Sequence, residues 1–506
     1  MRYCKNCGAR LEDNSRFCHN CGGIIEEVKE TTEEIGKLHQ EPITDYELVP
    51  KKIQGRKLGS ILIIGFIIIA SIGIITPIVY FSIRGSQTYT YMGDLYYTYH
   101  SETTEIIELN LDMFQGDIRI DYDISLFTLF SVTIEVYGQS LANISDTNSF
   151  TENTINNRTT ISFIEDEFDF WDKTSLRHNL YITINPAIVV EYNLESLSGI
   201  IDISMIDTSN IDIKKLDIET FSGDIDVILG VYTKISTINA ISLYSSSGRI
   251  DFYAPNNLLV DSPNFTIETL SGDMEIQIGS YAEIITSTFK LKTSSGSIDF
   301  YSPHFSNLDS TSFIAESFSG DIEIVFEDNT DINLDDFSIT TSSGNVHFSF
   351  DHSSIFNVSD LIVTSFSSDI FIDFQDYVDI YLSDIALDSS SGSITINCIG
   401  VTFHNDIFWV IETLSGDIDL DLYPESIPLI NHTATFDVDS SSGSVDISYL
   451  MSELNVGVEV TTDTTSGNID LPNGQEYYKS ASFDTKTIQY IFDIVTFSGD
   501  ITVRND

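Results

Sequence analysis

Polar and apolar residues alternate in short stretches along most of this chain, and these stretches follow regularly spaced glycines. The stretch from Asp273 to Ile278 reads Asp-Met-Glu-Ile-Gln-Ile, which is the two-residue period of a β-strand with one buried face. The glycines recur every 24 or 25 residues, with one serine among them, from Gly199 to Gly416. Self-similarity at a fixed period of this size is typical of a solenoid or array. The repeating unit is therefore predicted to be a turn followed by a strand.

The repeat continues to the last residues of the chain with wider spacing. After Gly416 the separations are 27, 24 and 32 residues (416 to 443, 443 to 467, 467 to 499). The repeat positions are Gly199, Gly223, Gly248, Gly272, Gly296, Gly320, Gly344, Ser368, Gly392, Gly416, Gly443, Gly467 and Gly499.

A second regularity doubles the period to about 48 residues, because two kinds of repeat alternate. Two residues before the glycine, large and small residues alternate from Phe221 to Ser441, and Asp follows the glycine in the repeats of the large type. Two arrangements remain open: successive coils alternate bulky and small plugs in one internal column, or each coil contains both types on different faces. One repeat per coil would give a rod of about 60 Å, and two repeats per coil would halve it.

The alternating units Thr-Leu/Phe-Ser-Gly-Asp-Ile and Ser-Ser-Ser-Gly-x-Ile resemble the prokaryotic putative-adhesin domain of unknown function, a β-solenoid family. The resemblance covers residues from about 105 to 506. It implies a mainly β fold, an extracellular β-solenoid that often lies beyond a single membrane span, and no established catalytic residues. Residues 186–506 are predicted to be the repeat array. Residues 84–185 are predicted to be a membrane-proximal β cap with a degenerate repeat around Gly116.

Four of the five cysteines lie in the first 21 residues, in two Cys-x2-Cys pairs separated by ten residues: Cys4, Cys7, Cys18 and Cys21. Two such pairs supply four thiolates to a tetrahedral ion. Residues 1–23 resemble the short zinc-ribbon found at the start of many prokaryotic membrane proteins. We therefore expect a structural zinc site, since four thiolates leave no open position for catalysis.

Residues 58–83 contain no charged side chain and are long enough to cross a bilayer as one helix. Residues 24–57 before them are polar and are predicted to be a linker. Lys51, Lys52, Arg56 and Lys57 crowd the first flank, so the positive-inside rule predicts a cytoplasmic N-terminus and an extracellular C-terminal region.

The net charge of -53 comes entirely from the region beyond residue 57. The first 57 residues contain ten basic and ten acidic side chains, which leaves 14 basic (24 minus 10) and 67 acidic (77 minus 10) in the rest. Such a surface repels nucleic acid and anionic lipid and attracts cations or basic partners.

Acidic residues recur three positions after the repeat glycine, and most of them are predicted to form one outward column. Its members are Asp202, Asp226, Asp251, Glu275, Asp299, Glu323, Asp419, Asp446 and Asp470. The carboxylate oxygens of such a column are candidate ligands for calcium. The alternative is a solvated acidic face, because calcium sites usually converge several ligands from a loop.

These features favour a single-pass protein of the cell membrane, adhesin-like or structural, that presents an acidic solenoid to a cell-surface glycan or protein. The alternative is a transmembrane sensor or regulator whose cytoplasmic zinc-ribbon recruits a partner protein. A polysaccharide-cleaving enzyme is disfavoured, since no cluster of catalytic residues is visible in the repeats. We therefore expect no enzymatic activity.

Overall fold

The computed structural model describes residues 2–3, 10–11, 90–99, 104–126, 128–138, 150–165, 176–206, 208–423, 432–450, 456–481, 483–486 and 488–505. The chain divides into two compact units, residues 1–86 and 87–506. In the first unit, the described strands Arg2–Tyr3 and Arg10–Leu11 form an antiparallel pair. The predicted membrane span and the four cysteines of the predicted zinc site lie outside the described residues.

The second unit is a solenoid of two large β-sheets. Each coil first adds a strand to the twenty-stranded sheet, turns at the repeat glycine, and then adds a shorter strand to the seventeen-stranded sheet. A complete coil is Asn307–Ser317, the corner at Gly320, and Ile322–Phe326. A 3-10 helix, Phe483–Thr485, lies near the end of the chain.

The strands of the twenty-stranded sheet are Ile106–Met113, Thr151–Ile155, Arg158–Ile164, Val189–Ser196, Asp212–Thr220, Lys234–Ser236, Ile241–Ser245, Leu259–Thr269, Glu283–Thr293, Asn307–Ser317, Asp331–Thr341, Ile355–Ser365, Asp379–Tyr381, Asp384–Ser389, Thr402–Phe403, Ile407–Thr413, His432–Ser440, Val456–Thr464, Tyr477–Lys479 and Ile488–Thr496. The strands of the seventeen-stranded sheet are Thr90–Tyr99, Ile118–Tyr122, Phe130–Gly138, Leu176–Ile184, Ile201–Ser204, Ile225–Ile228, Ile250–Ala254, Met274–Ile278, Ile298–Ser302, Ile322–Phe326, Val346–Phe350, Ile370–Phe374, Ile394–Ile399, Ile418–Tyr423, Val445–Tyr449, Ile469–Asp470 and Ile501–Asn505.

The register shows that one repeat makes one coil. Ile298 pairs in parallel with Ile322, and Asn307 pairs with Asp331, so neighbouring strands are offset by one 24-residue repeat in both sheets. This decides between the two coil lengths that the sequence left open. The coils of the central array therefore stack with the same positions aligned.

The core lies between the two sheets and is filled by the apolar residues of each alternating strand. Phe289, Phe313 and Phe337 of three successive coils stack nearly parallel, with ring centroids 5.1 and 4.7 Å apart. Phe300 of the facing sheet meets Phe289 and Phe313 edge to face at 5.6 and 5.5 Å. Aromatic rings at the spacing of one coil thus stack into continuous columns.

At both ends of the solenoid the order of coils in space differs from their order in the chain. The strand Ile106–Met113 pairs with Arg158–Ile164 on one side and with Val189–Ser196 on the other. The last long strand, Ile488–Thr496, lies between His432–Ser440 and Val456–Thr464. The coil that comes first in the chain is therefore second in space at one end of the solenoid. The coil that comes last in the chain is likewise second in space at the other end.

Antiparallel strands cover the end coils. Phe130–Gly138 pairs antiparallel with Leu176–Ile184 and with Thr90–Tyr99. At the other end, Tyr477–Lys479 pairs antiparallel with Val456–Thr464. An uncovered sheet edge is a template for pairing with another chain, so these strands limit uncontrolled association.

Candidate functional surface

The repeat glycine forms a corner where successive coils approach too closely for a side chain. A Cβ atom at Gly320 would lie 1.9 Å from the carbonyl oxygen of Gly296 in the preceding coil, and one at Gly344 would lie 1.9 Å from that of Gly320. At these two corners glycine avoids a clash of backbone with side chain, whereas the equivalent corner at residue 368 carries serine.

A hydroxyl three residues before the glycine makes hydrogen bonds at most of the corners. Ser317 Oγ accepts a hydrogen bond from the Gly320 backbone N at 2.9 Å and donates one to the Gly296 carbonyl oxygen at 3.0 Å. No role was predicted for this position, although its signal in the sequence is simple: Ser or Thr stands three residues before every repeat position. The residues are Ser196, Thr220, Ser245, Thr269, Thr293, Ser317, Thr341, Ser365, Ser389, Thr413, Ser440, Thr464 and Thr496.

Two members of this hydroxyl column make no hydrogen bond, Ser196 and Ser365, and the second lies in the coil where serine replaces the glycine. Ser365 is 1% exposed, and its hydroxyl has no hydrogen-bond partner. The next hydroxyl, that of Ser389, still donates to the Ser368 carbonyl oxygen at 3.1 Å. The column therefore offers a natural comparison between a hydrogen-bonded and an unbonded member.

Aspartate on alternate coils explains the 48-residue period. Asp321 Oδ1 accepts the backbone N–H of Asn345 in the next coil at 2.7 Å. The same contact joins Arg249 N to Asp224, Ser297 N to Asp273, Ser393 N to Asp369 and Ser444 N to Asp417. Stacked like charges destabilise a sheet, and alternation separates these carboxylates by two coils.

The bulky residue two positions before the glycine is exposed. Of the two arrangements that the sequence left open, large and small residues do alternate on successive coils in one column, but this column lies outside the core and not inside it. The bulky residues on alternate coils are called the corner column here, and they are Phe221 (51% exposed), Leu270 (50%), Phe318 (67%), Phe366 (67%), Leu414 (62%) and Phe497 (66%). Each coil's backbone joins the next at this position, as Phe366 N donates to the Thr341 carbonyl oxygen at 3.3 Å and Leu414 N to that of Ser389 at 3.3 Å. The buried plugs of the solenoid come instead from the alternating strands.

The inserted last coil keeps this alternation intact in space. Along the chain, the small residues Ser441 and Thr465 follow one another and seem to break the pattern. In the structure, the coil of Phe497 lies between them, since Phe497 N donates to the Ser440 carbonyl oxygen and Thr465 N to that of Thr496. Large and small residues therefore alternate from Phe221 to the final coil.

The predicted acidic column forms as expected over much of its length. Asp202, Asp226, Asp251, Glu275, Asp299 and Glu323 are aligned on successive strands of the seventeen-stranded sheet. His347 continues the column beside Glu323, with 3.3 Å between Nδ1 and Oε1. At the chain end the inserted coil places Thr502 between Asp446 and Asp470.

Partial burial and neighbouring charges raise the pKa values of two carboxyl groups in this column. Partial burial, followed by the charges of Asp251 and Asp202, raises the pKa of Asp226 to about 6. Partial burial and the charges of Glu323 and Glu275 raise the pKa of Asp299. Neighbouring carboxylates of the column therefore repel one another at neutral pH.

Arg249 relieves part of this repulsion. Its guanidinium contacts Asp251 and lies 2.8 Å from Glu275 Oε2. A shallow groove of about 360 Å³ lies beside these side chains, with Asp202 and Asp226 in its wall. The groove is acidic and open, which favours a cationic or hydrogen-bonding partner.

Among the described residues, no group of three or more His, Cys, Asp or Glu side chains is arranged to hold a metal ion. The calcium expectation for the acidic column thus finds no support. In the described parts of the chain, no helix is long and apolar enough to cross a membrane. The span predicted at residues 58–83 falls outside those parts.

The four cysteines of the predicted zinc site lie outside the described residues, next to two described strands. The strands that flank the first cysteine pair in the sequence are antiparallel, with Arg2 opposite Leu11 and Tyr3 opposite Arg10. This pairing brings together the two ends of the segment that contains Cys4 and Cys7. Cys4, Cys7, Cys18 and Cys21 remain predicted ligands.

A zinc-ribbon domain family matches residues 3–24, while no curated protein matches the chain. Among solved structures, the chain is similar to "a putative cell adhesion protein from Clostridium sporogenes ATCC 15579", with 9% identity, 82% of this chain and 99% of that chain covered, and a TM-score of 0.16. It is also similar to "a putative adhesin" from Bacteroides fragilis NCTC 9343, with 10% identity, 81% and 97% covered, and a TM-score of 0.13.

The family assignment rests on the match to a sequence family, and not on these structures. The family described as Toastrack DUF4097 matches residues 236–504, which is more than half of the chain. The chain belongs to the Toastrack DUF4097 family.

Proposed function

We propose that this protein is anchored in the cell membrane by residues 58–83 and presents its solenoid outside the cell as an adhesive scaffold. The observation that carries the proposal is the repetition of the same exposed side chains at the same corner of successive coils. A binding surface of this kind is extended along the molecule, whereas a catalytic site converges different groups at one place.

The charge distribution supports the proposed location. All of the net charge of -53 lies beyond residue 57, and a strongly acidic domain is repelled by anionic lipid and nucleic acid. Four basic residues precede the predicted span, which favours a cytoplasmic N-terminus.

Protease treatment of intact cells tests this topology. A chain with one epitope tag before residue 1 and another after residue 506 should lose the C-terminal tag and keep the N-terminal one. Lysed cells provide the control, because both tags should then be accessible. Loss of the N-terminal tag alone from intact cells would reverse the topology and reject the adhesive role.

Adhesion itself needs a separate measurement. Cells that display the full chain should attach to a surface coated with neighbouring cells or their envelope more strongly than cells without it. A chain truncated after residue 86 is the matched control, because it keeps the predicted anchor and lacks the solenoid. Equal attachment of both cell types would contradict the proposal.

A further inference from the structure

The corner column has a spacing that leaves room for a second one. Strands lie about 4.8 Å apart, so members of the column on alternate coils are about 9.6 Å apart. Inside the core, rings one coil apart stack at 4.6 to 5.1 Å. The gap between Phe318 and Phe366 therefore has the width that one more ring would fill.

We propose that this gap is filled by the corner column of a second copy of the chain, packed antiparallel to the first. A bulky residue of one copy would then contact the small residue between two bulky residues of the other. The alternation of large and small residues is self-complementary, which is the requirement for a closed two-fold interface. A column of bulky residues on every coil would not have this property.

The symmetry fixes the register. A two-fold axis that passes between the coils of Ser342 and Phe366 brings these two residues of opposite copies together. The same axis pairs every other bulky residue with a small one: Phe221 with Thr465, Leu270 with Ser441, Phe318 with Ser390, Leu414 with Ser294, and Phe497 with Ser246. The pairing of Phe221 with Thr465 depends on the inserted last coil, which puts Thr465 at the end of the alternating series.

A parallel pair does not satisfy the same condition. A two-fold axis along the solenoid would place each bulky residue opposite its own copy at the same height. A shift by one coil would restore the match of large with small, but it would also leave an unclosed contact at each end. The closed arrangement is therefore the antiparallel one.

The buried area is sufficient for a specific dimer. A phenylalanine buries about 150–250 Å² when it is fully covered, and the column members are 50–67% exposed. Six side chains at roughly 100 Å² each give about 600 Å² per copy and about 1,200 Å² in total, at the lower limit of standard protein interfaces.

Charge opposes this association and makes it dependent on salt. Each copy has a net charge of -53, and Asp321 and Asp369 lie three residues beyond Phe318 and Phe366. At physiological ionic strength charges are screened over about 8 Å. The dimer should therefore become tighter as salt increases, whereas contacts held by ion pairs weaken.

The biological consequence rests on the proposed function, but the pairing does not. The predicted anchor precedes the first coils in the chain, so the two chains of an antiparallel pair would enter it from opposite ends. Such a pair would join two opposing membranes. The partner bound by the adhesive scaffold would then be another copy of the same protein.

The test uses the full chain in nanodiscs at one copy per disc, with mass photometry to measure dimers at 50 and 500 mM salt. We expect more dimer at the higher salt. Ser342→Phe closes the central gap and should weaken association at least tenfold, as should Phe366→Ser. Phe305→Ser is the control, since Phe305 is 49% exposed at another corner and should leave association unchanged.

Ser342→Phe distinguishes this interface from other uses of the same residues. If the column binds through apolar area alone, to a glycan, a proline-rich peptide or a lipid, the added ring should strengthen binding or leave it unchanged. Either result overturns the inference, as does a wild-type chain that remains monomeric at both salt concentrations. Protease treatment of cells would still show the solenoid at the surface in that case, so the proposed function is tested independently.

Discussion

The backbone N–H of Asn468 donates a hydrogen bond to Asp500 Oδ1 over 2.7 Å, although Asp500 follows it by 32 residues. In the central array, by contrast, each aspartate of this kind precedes its donor in the chain, as Asp417 precedes Ser444. The reversal arises because the last coil returns and inserts between the two coils before it. The end of the chain is thereby held by neighbours on both sides.

This inserted coil should determine the stability of the C-terminal end. A chain that stops after residue 486 lacks Ile488–Thr496, so Val456–Thr464 loses its parallel partner. We expect residues 456–479 of this variant to become sensitive to protease, as measured by limited proteolysis and mass spectrometry.

The matched control is a longer truncation that stops after residue 450 and removes both terminal coils. In this control, His432–Ser440 should be better protected from protease than in the chain that stops after residue 486, because no unpaired coil remains attached. Equal protection of residues 456–479 in the chain that stops after residue 486 and in the full chain would contradict this account.

The hydroxyl column should stabilise the corners by an amount that depends on its hydrogen bonds. Ser317→Ala leaves the Gly320 N–H and the Gly296 carbonyl without their partner, so we expect a loss of about 2–3 kcal/mol in the free energy of unfolding. Urea denaturation measures it. Ser365→Ala is the control, because the Ser365 hydroxyl has no partner, and its effect should be near zero. Equal losses in both variants would show that the hydroxyl acts only by filling space.

Two buried tyrosines should respond oppositely to loss of the hydroxyl. Tyr192 and Tyr490 are both 0% exposed. The Tyr192 hydroxyl lies 2.5 Å from that of Tyr122, whereas the Tyr490 hydroxyl has no hydrogen-bond partner. An unpaired buried hydroxyl costs about 1–3 kcal/mol. Tyr490→Phe should therefore raise the thermal midpoint, and Tyr192→Phe should lower it; the reverse order would refute the assigned contacts.

The acidic column should make the solenoid more stable in mild acid. The folded pKa of Asp226 is about 6, above its unfolded value, so the folded state binds the proton more tightly between these two values. Stability then falls as pH rises through this range, by the linkage between proton binding and folding.

Asp226→Asn isolates this effect. Removing the charge should raise the free energy of unfolding at pH 7 by roughly 1 kcal/mol, after allowance for solvent screening of a half-exposed group. At pH 4 the difference should be smaller. Urea denaturation at both pH values measures it, and an equal effect at pH 4 and pH 7 would exclude a role for the charge.

Much of the fold follows from the sequence, because the signals repeat. Thirteen repeat positions predict a solenoid, and the alternation after each one predicts a strand with one buried face. The acidic column followed from the same register and is present from Asp202 to Glu323. The hydroxyl column was equally visible as Ser or Thr before each repeat position, but its role depends on a contact with the preceding coil.

The sequence by itself determined the period, the corner and the alternation of two repeat types, since each of these is a local property of one repeat or its neighbour. The tertiary structure decided which side of the corner faces water, placing Phe318 and Phe366 outside rather than inside. It also decided the order of the last coils, which no local pattern contains. Strand pairing between distant segments sets that order, and it restored around Phe497 an alternation that the chain had seemed to lose between Ser441 and Thr465.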